Sequence, residues 1–260
     1  MQDYIQQAAD HRKGLAITAF GGLTLTVDIP LIRLSQSDAW SALAVRSALT
    51  FLAAVVAWSF IRFVLKRAIP IIPSRAGLLV VTLYGIASIT FILAVYNTST
   101  ANLVFILAFN PMFSALLAWW LAGEKPRAQT FAAMIVMILG VALIVADGMK
   151  AGNLTGDLLA LASSLILAGA ITASRKARVD MGFAPLFAAI VPSMIGLAMV
   201  GGPAGLVLGE PGWLLLNGLV IIPIAFWCLA TGPKYISGPE VAMFYLCLLY
   251  TSDAADDLLC

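Results

Sequence analysis

Residues 76–123 read AGLLVVTLYGIASITFILAVYNTSTANLVFILAFNPMFSALLAWWLAG. The run holds 48 consecutive residues without a charged side chain, bounded by Arg75 and Glu124. One helix crosses the hydrocarbon core of a bilayer with about 20 apolar residues. The run is therefore two spans, joined at the short polar turn Asn97-Thr98-Ser99-Thr100. Further uncharged runs lie at 128–146, 158–174, 181–209 and 211–233. Toward the N-terminus, 14–34 and 39–61 are apolar too, but the first holds Asp28 and Arg33 and the second Arg46. The pattern predicts spans at 14–33, 40–62, 76–96, 99–122, 129–147, 157–175, 183–202 and 213–233, with a ninth opening at 239.

The composition agrees. The chain has 15 Lys and Arg and 13 Asp and Glu among 260 residues, or 11% charged, where a soluble domain carries roughly 25%. Hydrophobic residues make up 62%, against about 45–50% in soluble proteins. So few charges cannot cover a soluble globule of this size, which excludes an ordinary cytosolic enzyme and a disordered chain. A net charge of +2 is too small for binding a phosphate backbone, so no nucleic acid is expected as a partner. Three cysteines without a CxxC, and a single histidine, His11, exclude a disulfide framework and a zinc site. Neither a metal nor another cofactor is expected. The expected partners are the lipid bilayer and a small-molecule substrate, and a homodimer is left open.

The first apolar stretch follows His11-Arg12-Lys13 and lacks a small-residue cleavage site at its end, so it reads as a span and not a signal peptide. Basic loop residues set orientation. With the N-terminus in the cytoplasm, 12 of the 15 basic residues fall on the inner side and only Arg33 and Lys150 on the outer, with Arg46 inside a span. A bacterial-type cytoplasmic membrane is the expected location. The loops are short, leaving no room for a nucleotide-binding domain, and no GxxxxGK[ST] loop is present. Any transport would draw on gradients or exchange.

Asp28 and Arg46 are the costliest residues, because a charge in hydrocarbon costs several kcal/mol unless paired or hydrated. They fall at comparable depth on adjacent antiparallel spans and can form an ion pair. That pair is either a charged element of a substrate cavity or a structural pair with Arg46 snorkelling outward. Arg33 is an alternative partner for Asp28. Pro30, Pro111, Pro192 and Pro223 fall in or near spans, where proline frees a carbonyl that a neighbouring helix or a cavity must satisfy. Asn102, Asn110 and the kink at Pro111 are candidates for lining a cavity, against plain hydrogen bonding between helices. Trp119, Trp120 and Trp213 read as interfacial anchors, while Trp227 lies deeper and is a candidate binding residue. Gly123 suits a helix end, and Glu124 the positive start of the next helix. Intramembrane Ser–His or paired-Asp proteolysis fails on inventory: His11 precedes the spans, and Asp147 and Asp157 lie at span ends.

Residues 96–148, YNTSTANLVFILAFNPMFSALLAWWLAGEKPRAQTFAAMIVMILGVALIVADG, resemble the end of the first EamA unit of the drug/metabolite transporter superfamily. The shared features are a small polar turn after span three, a proline in span four, Gly123-Glu124, and Gly140-Val141 in span five. Residues 156–176, GDLLALASSLILAGAITASRK, look like the opening helix of the second unit, and Arg46 matches an arginine common near the start of the second helix. The resemblance covers about 14–246. It implies an all-α polytopic membrane protein: two five-helix inverted repeats (14–148, and an incomplete 156–246) around a central cavity. It also implies a secondary transporter, not an enzyme, exporting metabolites, amino acids or drugs. Asp28 departs from the family pattern. A non-transporting membrane scaffold or sensor, and an intramembrane lipid-modifying enzyme, are the rival readings.

The family pattern expects helix nine to complete and a tenth to follow. Residues 247–260, CLLYTSDAADDLLC, instead place three Asp within five residues and resemble a translated sequencing-library adapter. They are expected to be non-native and the 260-residue form inactive in transport; the DNA at the 3′ end and a flux assay check both.

Overall fold

The computed structural model describes residues 2–66, 75–123, 135–136, 138–140, 153–177, 183–236 and 241. All regular structure among them is helical. Its elements are α1 (Gln2–Leu25), α2 (Asp28–Leu34), α3 (Ala39–Ser59), α4 (Arg75–Asn97), α5 (Thr100–Leu107), α6 (Asn110–Ala122), α7 (Leu154–Ala177), α8 (Ala184–Ala188), α9 (Ile190–Met199), α10 (Pro211–Leu216) and α11 (Ile222–Thr231). A π-helical turn, Phe60–Val64, extends α3, and another, Asn217–Ile221, joins α10 to α11.

Among the described residues, six segments are long and apolar enough to cross a membrane: Asp10–Leu34, Ala39–Val64, Ala76–Asn97, Thr100–Leu121, Leu154–Lys176 and Pro211–Thr231. Ala184–Met199, within the predicted 183–202 span, is a shorter apolar helix. Most of 129–147, the start at 239, Glu124 and the 247–260 tail lie outside the described residues. In lipid every backbone amide must be satisfied within its own segment, which is why these apolar runs can only be helices. Their outward faces are correspondingly greasy: Leu52, Val56, Phe63, Leu78, Trp120 and Met194 are all exposed.

Four of the predicted proline sites coincide with interruptions of helices. The first span breaks at Thr26-Val27, and α2 restarts with Pro30 in its first turn. The fourth breaks at Ala108-Phe109, with Pro111 opening α6. Ala189 separates α8 from α9 ahead of Pro192. The π-turn 217–221 precedes Pro223. Proline has no N–H to give, so each break stands where the helical ladder would otherwise fail. Gly123 closes α6 with φ 71°, and its N–H is donated to the Trp119 carbonyl.

α4 packs along α7, α3 crosses α9, and α1 lies against α11, with α6 also resting on α7. At the α3–α9 crossing a Cβ on Gly196 would lie 2.8 Å from the Ala44 backbone nitrogen, so only glycine permits that approach. Two apolar cores result. One gathers Ile29, Ile32, Leu43, Ile92, Leu103 and Ile106. The other gathers Val80, Tyr84, Ile171, Ala188 and Leu229. The candidate site lies between them.

Candidate functional site

The break at Thr26-Val27 makes Asp28 the first residue of α2 and turns its side chain inward, where it is 3% exposed. Arg46, two turns into α3, meets it: Nη2 donates to Oδ2 at 3.0 Å and to Oδ1 at 3.3 Å. A third group, Asn217, closes the arrangement from the eighth predicted span. Its Oδ1 accepts from Arg46 Nε at 2.9 Å, and its Nδ2 donates to Asp28 Oδ1 at 2.7 Å and to the Asp28 carbonyl at 3.2 Å. Arg46 and Asn217 are 2% and 0% exposed. The π-turn starting at Asn217 supplies the close approach. A Cβ on Gly218 would stand 2.7 Å from the Arg46 carbonyl, and Thr50 Oγ1 donates to the carbonyls of both residues. The Arg46 guanidinium also lies over the Phe91 ring, 5.9 Å from its centroid.

A cavity of about 90 Å³ opens beside the Asp28–Arg46 pair of this triad. Asp28, Arg46, Asn110, Ser88 and Ser163 supply its polar wall, and Tyr84, Phe91, Ile171 and Phe226 much of the apolar remainder. Residues 84–91, Asn110 and 163–171 fall near the middles of their spans, so the cavity lies at mid-depth. Asn110 Nδ2 donates to the Ser164 carbonyl at 2.9 Å, while its buried Oδ1 has no hydrogen-bond partner. Tyr84 OH is likewise buried without one.

Of the residues singled out from sequence, Asp28, Arg46 and Asn110 converge on the cavity. Asn102 does not; it lies at the start of α5, with Nδ2 3.4 Å from Asp157 Oδ1. Trp227 is 41% exposed and turned away, while its neighbour Phe226 lines the cavity. Arg33 is not the partner of Asp28, because its Nη2 donates to the Val95 and Thr98 carbonyls at 3.0 and 3.1 Å. Pro30 and Pro111 open the half-helices beside the site, Gly123 lies at the far end of α6, and Glu124 is outside the described residues. Sequence reasoning missed Asn217, Tyr84, Phe91 and Phe226. Asn217 had a visible signal, being the only Asn in the uncharged run 211–233 and six residues before Pro223.

A bundle of apolar helices around a mostly apolar cavity edged by a buried ion pair is that of an integral membrane protein. The chain belongs to the EamA-like transporter family, which it matches over residues 14–146, just over half its length. Its fold is similar to that of a protein of known crystal structure, at a TM-score of 0.69 and 17% identity, over 95% of this chain and 89% of that one. No curated protein sequence matches it. The family is one of transporters and not of enzymes.

Proposed function

We propose that the chain is a secondary transporter that exports a small molecule by alternating access around the mid-depth cavity. The carrying observation is the Asp28–Arg46–Asn217 triad: two buried charges that line a cavity, held from behind by a buried amide, on three elements of which two are interrupted beside it. Intramembrane charges at such cost mark substrate or ion pathways, and interrupted helices at mid-depth are a recurrent way of building transporter sites. Asp28, Arg46 and Asn110, joined by Tyr84, Ser88 and Phe91, are the residues proposed to face the substrate. The proposed architecture is two five-helix inverted repeats, nine spans in this chain, in a bacterial-type cytoplasmic membrane with the N-terminus inside.

The test compares metabolite profiles of cells and medium with and without expression of a form whose second repeat is complete, then repeats the comparison with Asp28→Asn and Arg46→Ala. Accumulation of a compound outside, lost in both variants while they still insert and fold, is the expected result. Export unchanged in both would remove the site from the mechanism.

A further inference from the structure

A second, smaller cavity of about 10 Å³, room for one small ion or water, adjoins the first and shares Arg46, Tyr84, Ser88 and Phe226 with it. Its own wall adds Ser47, Thr50, Pro185, Ala189, Pro192 and Ile222. Two buried hydroxyls here, Ser47 Oγ and Tyr84 OH, have no hydrogen-bond partner. Arg46 spends Nε and Nη2 on Asn217 and Asp28, which leaves the Nη1 donors of the guanidinium to other partners, and Arg46 lines both cavities. Thr50 already donates its hydroxyl to two carbonyls. The free groups are thus donors, and a buried polar group without a partner is costly.

We infer that this side pocket is a subsite for a small monovalent anionic group of halide or carboxylate size, bound by Arg46 Nη1, Ser47 Oγ and Tyr84 OH with Ser88 at the rim. The anion arrives either as a free ion or as the head of the transported molecule, so the inference rests on the transporter reading only for its source. Asp28 and Arg46 are the only charged groups among the described residues of either cavity, so Arg46 is the cation that would hold the anion.

The experiment is thermal unfolding of the purified protein in detergent, titrated with sodium chloride, bromide or formate against gluconate at equal ionic strength. Because it needs no flux, a failure of transport leaves it intact, and its own failure leaves the transporter reading standing. A saturable rise in Tm with halide or formate is expected. The midpoint should move at least tenfold in Ser47→Ala and in Tyr84→Phe. A response to halide marks a free ion, and a response to formate alone marks a substrate head group. If either hydroxyl variant does not fold, a bromide anomalous peak beside Arg46 in crystals of the wild type serves instead. No anion-specific shift, a shift unchanged in both hydroxyl variants, or ordered water only at this position would overturn the proposal.

Discussion

Asp28, Arg46 and Asn217 form a closed ring of charge-assisted and amide hydrogen bonds in which the two carboxylate oxygens and the Asn217 side chain satisfy one another. Such a ring stabilises the fold only while complete. Removing one partner of a buried ion pair costs about 3–5 kcal/mol, because the other charge stays buried and uncompensated. Arg46→Ala should therefore lower Tm strongly, and the double variant Asp28→Ala/Arg46→Ala should recover part of the loss. A double-mutant cycle by thermal unfolding checks this; strictly additive losses would show that the charges do not act as a pair. Asn217→Leu keeps the bulk but strands Arg46 Nε and one carboxylate lone pair, a cost of about 1–3 kcal/mol per unsatisfied group. It should destabilise the protein less than Arg46→Ala and weaken transport.

At the scale of elements, glycine sets how closely helices can bring these residues together. Gly218 lets the π-turn approach the Arg46 carbonyl, and Gly212, one turn earlier, meets nothing within 4 Å. Gly218→Val should cost about 1–3 kcal/mol by overpacking and pull Asn217 off Arg46, abolishing transport, while Gly212→Ala should leave both measurements near wild type. Equal behaviour of the two variants would sever the turn from the site. A second junction ties α7 to the turn between α4 and α5. Asp157 Oδ1 accepts the Thr98 hydroxyl and the Asn102 amide, and Gly156 packs against the backbone of Asn97 and Thr98. Asp157→Asn should keep this junction and Asp157→Ala should loosen it, read as faster hydrogen exchange at 97–103 in the second variant only. The spans themselves were legible because 20 apolar residues in lipid have one solution, and the breaks because proline leaves few others. Which side chains converge was less legible, since it depends on helix rotation. Consecutive residues on a helix point about 100° apart, which puts Phe226 on the cavity and Trp227 outside. Asn217 escaped notice because its role comes from a π-turn that no residue spacing announces.

For the whole molecule, contacts between loops sort the described ends into two sides. On one side the 203–210 loop packs on the 35–38 loop: Glu210 N–H donates to the Ser35 carbonyl at 2.7 Å and Val207 N–H to Ser41 Oγ at 2.9 Å. On the other, Arg175 donates to the Ile236 carbonyl, Lys176 to the Leu121 carbonyl, and the Lys13 and Lys234 amines both stand over the Tyr235 ring. The second side therefore gathers Lys13, Arg175, Lys176 and Lys234, whereas the first gathers Arg33. Lys and Arg close to span ends are retained in the cytoplasm, so the basic side should be the inner one. Cysteine placed at Glu210 should react with a membrane-impermeant maleimide in intact cells. Cysteine placed at Lys66 or Lys234 should react only after the membrane is opened. Because Cys228 is buried, the unsubstituted chain should give little background from that position. The opposite labelling pattern would invert the orientation, and with it the direction in which a cavity opening toward Asp28 hands its cargo across the bilayer.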